Sequence, residues 1–123
     1  MLIPVLHFDG NCTDVIKLYE SVFETKARDL DYSDDKKIRH AEMTIHGQRI
    51  FLNDGREFIR NTYRVDCVAH LILTFNTPEE LLVCYDKLKD DNNLPVPFTK
   101  TPYSVLIGNF IDRFGVFWGF MVI

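Results

Sequence analysis

Apolar positions near the start of the chain predict a strand followed by an amphipathic helix. Residues 2–8 are mostly apolar and are bounded by Asp9-Gly10-Asn11, as expected for a buried strand that ends in a turn. Asn11 is the predicted N-cap of the helix that follows. Beyond it, apolar side chains recur with the spacing of one helix face, and they are Val15, Leu18, Tyr19, Val22 and Phe23.

A second strand and helix with the same pattern follow in the other half of the chain. Residues 69–75 are apolar, and the next helix has a strong start signal. Thr77 is the predicted N-cap, Pro78 takes the first helical position, and Glu80 completes a capping box. The predicted apolar face of this helix consists of Leu81, Leu82, Tyr85 and Leu88.

Each helix is followed by strand-like segments, which complete a βαβββ pattern in each half. The segments are residues 27–32, 37–46 and 48–53 in the first half and residues 96–100, 103–111 and 116–123 in the second. We therefore predict an α+β fold of two βαβββ modules, about 1–66 and about 67–123, within one domain that covers residues 1–123. A duplication of this kind is typical of an internal repeat packed against its copy.

Composition limits the partners more than the fold. A net charge of −4 argues against a nucleic-acid partner, which usually requires a basic face. No apolar run approaches the roughly 20 residues that span a bilayer, so we expect no membrane partner. The 3 cysteines show no CxxC spacing, which argues against a disulfide framework or a zinc knuckle and favours a reduced, cytoplasmic location. The sequence also contains no GxGxxG, phosphate-loop, HExxH or GxSxG motif, so nucleotide-binding and hydrolase functions lack support.

Short segments spread over nearly the whole chain carry a family resemblance. They are IPVLHFDGNC at 3–12, LYESVF at 18–23, HAEMTI at 40–45, IFLND at 50–54, DRFG at 112–115 and WG at 118–119. In this order they resemble PhnB-like proteins of the vicinal-oxygen-chelate superfamily, to which glyoxalases, bleomycin-resistance proteins and extradiol dioxygenases belong. The resemblance implies that each module curls its sheet into a half-barrel with a small-molecule cavity on the concave face, often completed across a homodimer.

The same resemblance implies metal ligands on the first and last strands of each module. The repeat places these positions at Ile3 or Pro4, Phe51, His70 and Gly119. Only His70 carries a donor atom, whereas a catalytic zinc takes three protein ligands and non-haem iron takes two histidines and a carboxylate. We therefore predict a degenerate metal site and no cofactor. A divalent metal held by new ligands is the alternative.

Strand alternation selects the side chains that would face the cavity. The catalytic candidates are His70 and the pair His40 and Glu42, since a histidine beside a carboxylate can exchange protons near neutrality. Each candidate also has a plainer interpretation, as an inherited barrel histidine or as a solvated polar face. The ligand-binding candidates are His7, Arg49, Phe51, Asn53, Thr74 and Phe117. Cys12 lies at a helix start, where a thiol pKa can be lowered, but no paired base accompanies it.

Three functional hypotheses follow. The first is a metal-independent small-molecule-binding protein of the PhnB-like group, in which His40, Glu42 and His70 retain some chemistry. The second is a metal-dependent lyase or dioxygenase whose ligands are rebuilt from His7, His40 or Glu42 beside His70. The third is a resistance-type protein that sequesters a drug in a groove of a homodimer.

Overall fold

The structure, a computed structural model, describes residues 1–63, 69–91 and 97–123. The chain divides into two compact units, Met1–Asp66 (unit 1) and Cys67–Ile123 (unit 2). Within the described residues, no helix is long and apolar enough to cross a membrane.

Unit 1 contains one four-stranded sheet and two helices. Its strands have the order β1-β4-β3-β2, in which β1 runs parallel to β4 and the other neighbours are antiparallel. The elements are β1 (Val5–His7), α1 (Cys12–Phe23), β2 (Arg28–Tyr32), β3 (Ile38–Ile45), β4 (Gln48–Asn53) and α2 (Arg56–Tyr63). The first strand is shorter than predicted, and the sequence analysis did not predict α2.

Asn11 occupies the N-cap position of α1, as predicted, but the side chain that holds the helix start belongs to a distant aspartate. The Asn11 side chain makes no capping hydrogen bond, so the predicted side-chain cap is wrong. Instead, Asp54 Oδ1 accepts hydrogen bonds from the backbone N–H groups of Gly10 and Cys12, both at 2.9 Å. The other carboxylate oxygen accepts from Ile38 N at 2.9 Å. One side chain at the end of β4 therefore anchors the helix start and the first residue of β3.

The core of unit 1 lies between α1 and one face of the sheet. Alternate residues of β3 and β4 point towards the helix, because neighbouring side chains of a strand lie on opposite faces. Each of the central core side chains has at most 3% of its surface exposed, and the set includes Val15, Tyr19, Ala41, Met43, Ile45, Ile50 and Leu52. The opposite face of the sheet carries the polar candidates.

Unit 2 repeats the strand order of unit 1. The order is β5-β8-β7-β6, again with the first strand parallel to the last. The elements are β5 (Leu71–Phe75), α3 (Pro78–Leu88), β6 (Thr99–Thr101), β7 (Ser104–Ile111) and β8 (Phe117–Val122). The first residue of the predicted segment 96–100 lies outside the described residues. Two open four-stranded sheets with their helices confirm the predicted α+β fold.

The start of α3 agrees with the prediction, whereas its apolar face differs by one residue. Thr77 Oγ1 accepts a hydrogen bond from Glu80 N at 3.2 Å, and Pro78 occupies the first turn. Leu81 and Leu88 are fully buried, but Leu82 is 47% exposed and Cys84 takes its place in the core. Leu82 therefore lies outside the helix face that packs on the sheet.

Candidate functional site

The sheet of unit 1 brings six predicted side chains together on the face away from α1, and they are His7, His40, Glu42, Arg49, Phe51 and Asn53. The register sets Val5 beside Phe51, Phe51 beside Glu42 and Glu42 beside Arg28, in one row across all four strands. His7 and Asn53 pair at the adjacent row. Side chains paired across strands lie close enough to contact each other, so polar and apolar candidates meet on this face.

Glu42 is a buried anion between two arginines. It is 4% exposed, and Arg49 donates to both of its oxygens at 2.8 Å, in the bidentate geometry that favours a carboxylate. Arg28 donates a further hydrogen bond to Oε2. Hydrogen bonds from Arg49, and then from Arg28, lower the pKa of Glu42 to about 2, although burial acts in the opposite direction. At neutral pH Glu42 therefore has no proton to donate, and its contacts are those of a structural anchor.

His40 contacts an aromatic ring. Its imidazole meets Phe51 edge-on, with ring centroids 4.7 Å apart. The guanidinium of Arg49 lies 5.7 Å from the centroid of the same Phe51 ring, within the range of a cation–π contact. Phe51, at one of the expected metal-ligand positions, is therefore enclosed by an imidazole and a guanidinium and offers no donor atom.

His7 and Asn53 form a hydrogen-bonded pair at the end of the sheet. His7 Nδ1 lies 2.8 Å from Asn53 Oδ1. The same oxygen accepts a hydrogen bond from Gly55 N at 2.9 Å, so Asn53 links β1 to the turn before α2.

This pair lies in the wall of a cavity that belongs entirely to unit 1. The cavity has a volume of about 400 Å³. Of the ligand-binding and catalytic candidates, His7 and Asn53 line this cavity, whereas the other candidates of unit 1, His40, Glu42, Arg49 and Phe51, are not part of its lining. The remaining wall is formed by Ser33, Lys37, Ile38, Arg39, Asp54, Gly55, Phe58 and Ile59.

Sequence reasoning missed the residues that α2 contributes to the cavity. Phe58 and Ile59 belong to this helix, which has no buried residue within its bounds and starts directly after Gly55. The helix was missed because its apolar positions are few and its arginines resemble a small charged patch. Lys37 and Arg39 were also missed. The sequence analysis assigned residues 37–46 to a strand but did not place Lys37, Ile38 or Arg39 at a cavity.

In unit 2, His70 lies against an aromatic ring and a glycine. The imidazole of His70 is 4.6 Å from the Phe117 ring, centroid to centroid, at an interplanar angle of 32°. A Cβ atom added at Gly119 would lie 2.8 Å from Asn109 Oδ1 and 3.2 Å from the His70 ring. The space that a side chain at 119 would occupy is therefore filled. Thr74, the other candidate of this unit, is exposed on β5 and pairs with Met121 on β8.

The positions expected for metal ligands do not fit a divalent metal. Ile3, Pro4, Phe51 and Gly119 carry no side-chain donor, and only His70 does. Across the part of the chain that the structure describes, no group of three His, Cys, Asp or Glu side chains could hold an ion. The family metal site is therefore not formed by these residues.

Neither described cysteine is a reactive nucleophile. Cys12 and Cys84 are free and buried. Burial, followed by the nearby Asp54 carboxylate, raises the pKa of the Cys12 thiol to about 12. Burial also raises the pKa of Cys84 to about 12. Both stay protonated at neutral pH, so the lowered pKa considered for Cys12 is absent.

Comparison with solved structures decides the fold. A PhnB protein from Bacillus cereus matches with a TM-score of 0.81 at 22% identity, over 99% of this chain and 98% of that protein. A protein from Pseudomonas aeruginosa matches with a TM-score of 0.81 at 22% identity, over 99% and 96%. The chain has the glyoxalase/bleomycin-resistance fold.

A third solved structure has the same fold, whereas comparison of sequences finds no match. A glyoxylase/bleomycin resistance protein/dioxygenase domain from Frankia sp. EAN1pec matches with a TM-score of 0.67 at 17% identity, over 98% of this chain and 87% of that chain. No protein-family model and no curated protein matches the sequence significantly. At such identities the likeness establishes the fold, and one fold hosts many chemistries.

Proposed function

We propose that this chain is a PhnB-like, metal-independent protein that binds a small molecule in the cavity of unit 1. The observation that carries the proposal is the cavity itself, of about 400 Å³, with polar His7 and Asn53 beside apolar Ile38 and Ile59. Small-molecule sites typically have volumes of about 300–1,000 Å³ and combine apolar walls with a few polar groups. The cavity has both properties.

The contacts of the expected ligand positions support metal independence. Phe51 packs between Arg49 and His40, and the space beside Gly119 holds His70 and Asn109. A metal at these positions would need donor atoms that the residues lack. In this proposal, His70 packs against Phe117 and does not bind a metal.

A binding screen with a matched pair of variants tests this proposal. A library of small apolar fragments is added to isotope-labelled protein that has been treated with a chelator, and amide shifts are followed by NMR. We expect bound fragments to shift Ser33, Gly55 and Ile59. Ile59→Trp should fill the cavity and abolish these shifts, whereas Thr62→Trp on the same helix, which does not line the cavity, should preserve them.

Two outcomes would overturn the proposal. One is that no fragment shifts the cavity residues. The other is that binding appears only when stoichiometric zinc, nickel, iron or manganese is restored and is lost in His70→Ala. The second outcome would favour the metal-dependent hypothesis.

We further propose that the protein is a homodimer. Unit 2 exposes apolar side chains on the sheet face away from α3, and an apolar surface of this kind is typical of an interface. The residues are Ile72, Val105, Ile111 and Phe117, which are 52%, 47%, 53% and 39% exposed. Light scattering should give twice the mass of one chain. Ile111→Lys should give the monomer mass and Leu82→Lys, on α3, should not; a monomeric wild type would end this proposal.

A cytoplasmic location belongs to the same proposal. Its support is that Cys12 and Cys84 are buried as free thiols, which suits a reducing compartment. Fractionation of cells that express the native protein should place it with cytoplasmic markers, and recovery with secreted or membrane fractions would contradict the location.

A further inference from the structure

The imidazole of His7 is held in a single orientation and a single tautomer. Gly55 N–H donates to Asn53 Oδ1 at 2.9 Å, so the atom of the Asn53 amide at this place must be the oxygen. His7 Nδ1 lies 2.8 Å from the same oxygen and must therefore carry the proton of this hydrogen bond. In a neutral imidazole with a proton on Nδ1, Nε2 has a free lone pair and acts as an acceptor.

The lone pair of Nε2 is available to a ligand. Among the described residues, the imidazole of His7 makes its one hydrogen bond through Nδ1. Within the same part of the chain, no buried side-chain nitrogen or oxygen lacks a partner, so the unpaired Nε2 is accessible to solvent. His7 is one of the residues that line the cavity of unit 1, so its accessible Nε2 is the candidate hydrogen-bond acceptor for a ligand there.

The charged groups at the cavity already have partners. Arg39 forms an ion pair with Asp31 at 3.0 Å, and Lys37 lies 3.9 Å from Asp35. The Asp54 carboxylate accepts three hydrogen bonds from backbone N–H groups of the described residues, those of Gly10, Cys12 and Ile38.

The hydroxyl of Ser33 is also committed. It donates to Asp35 and accepts from Lys37 N at 3.2 Å. Because Lys37 and Arg39 have carboxylate partners and Asp54 and Ser33 are engaged in hydrogen bonds, the group best placed to select a ligand is the acceptor nitrogen of His7.

We propose that the cavity selects a neutral, mostly apolar compound that carries one hydroxyl group, a small phenol or alcohol, and that this hydroxyl donates to His7 Nε2. The apolar body of the ligand would lie against Ile38, Phe58 and Ile59. This inference rests on the proposed function, since it specifies the ligand of the same cavity. Asn53 is a positioning residue, because it acts on the ligand through the tautomer of His7.

A series of matched probes tests the selection. Para-ethylphenol has the hydroxyl donor, para-ethylanisole replaces it with a methyl ether that cannot donate, and ethylbenzene lacks the oxygen. The ether is larger and the hydrocarbon is smaller than the phenol, so size alone does not explain a preference for the phenol. One neutral hydrogen bond with no unsatisfied partner left behind corresponds to about a tenfold difference in Kd. We expect the phenol to bind about tenfold more tightly than either control, by NMR titration of Gly55 and Ile59.

Variants separate the acceptor from the rest of the cavity. His7→Phe keeps a flat ring and removes both nitrogens, so the preference for the phenol should disappear while weak binding of ethylbenzene continues. His46→Asn changes a histidine in an exposed turn and should retain the tenfold preference. Equal affinity of the wild type for the phenol and the ether, or a preference that persists in His7→Phe, would overturn the inference and leave the proposed function intact. Failure of every fragment to bind would remove both.

The tautomer of His7 can be tested directly in the wild type and then in a variant of Asn53. Long-range nitrogen–proton NMR spectra of the wild type should show His7 with a protonated Nδ1 and an unprotonated Nε2. In Asn53→Leu the acceptor for Nδ1 is lost, so the spectrum should change to a mixture of tautomers and the preference for the phenol should fall. A wild-type spectrum with the proton on Nε2 would contradict the inference directly.

Discussion

Units 1 and 2 have the same strand order but use different chemistry at matching places. In unit 1 the row after Val5 and Phe51 contains His7 and Asn53, whereas the matching row of unit 2 contains Thr74 and Met121. Phe51 of unit 1 corresponds by register to Gly119 of unit 2. The topology therefore specifies which positions meet, while the side chains decide what those positions can bind.

The helix starts of the two units differ in the same way. Thr77 caps α3 through a local contact: its side chain accepts a hydrogen bond from Glu80 N, three residues later in the sequence. The start of α1 instead depends on Asp54, which lies 42 residues from Cys12 along the chain. Unit 2 thus uses a local contact where unit 1 uses a long-range one, and the predictions below test that contrast.

The largest effect is expected from Asp54. Asp54→Ala removes a charged acceptor from the N–H groups of Gly10, Cys12 and Ile38, and we expect it to lower the free energy of unfolding by about 3 kcal/mol. Thr77→Ala removes one cap and should cost about 1 kcal/mol. Urea denaturation of both variants measures the difference. Equal losses would mean that the long-range anchor is no stronger than the local cap.

Asp54→Asn is the control for the first prediction. It retains one oxygen for Gly10 and Cys12, so its loss of stability should lie between the other two. A loss as large as that of Asp54→Ala would show that charge, and not hydrogen bonding, is decisive.

Acid should destabilise unit 1 through Glu42. Its pKa is lowered from 4.5 to about 2 by Arg49 and Arg28, so ionised Glu42 stabilises the folded state fully above pH 4.5. That contribution is lost as the pH falls from 4.5 towards 2, because Glu42 is protonated in the unfolded state over this range, whereas in the folded state it takes up a proton only near pH 2. Glu42→Gln should show a flatter dependence of unfolding free energy on pH in this window. An unchanged slope would mean that the arginines do not stabilise the anion.

The smallest effect is expected at Gly119 in unit 2. Gly119→Ala places a Cβ 2.8 Å from Asn109 Oδ1 and 3.2 Å from His70, so both side chains must move. We expect a loss of about 1 kcal/mol, since mild overpacking costs roughly that amount. The ring-current shift of the His70 protons by Phe117 should also decrease. A variant with unchanged stability and unchanged His70 shifts would show that the contact at Gly119 is looser than described.

Much of the fold was predictable because its signals are local. The side-chain cap at Thr77 and the alternation that buries Met43 and Leu52 each depend on residues close in sequence. The errors occur where a distant group intervenes. Asn11 has the right residue type for a cap, yet Asp54 takes that role, and Leu82 has the right polarity for the core but lies outside the packed face.

The candidate site was predictable in part for the same reason. Alternation correctly placed His7 and Asn53 on one sheet face, and their register brought them into a cavity. The position of α2 beside that cavity was not predicted, because the helix is short and mostly polar and buries no residue, so its sequence does not indicate which part of the fold it contacts. Nor could the sequence indicate that both oxygens of Glu42 are held by Arg49, since that contact depends on how two strands pair.

By itself, the sequence determined the duplicated βαβββ pattern, the two main helices and the absence of donor side chains at three of the four expected ligand positions. These properties follow from residue type and short-range periodicity, which do not depend on the rest of the molecule. Only the tertiary structure decided that His7 and Glu42 have different surroundings: His7 lies in the wall of a cavity, and Glu42 is buried against Arg49 and Arg28. The reason is that hydrogen bonding and burial are set by neighbours such as Asn53, Gly55 and Arg49, which the fold brings together across long stretches of chain.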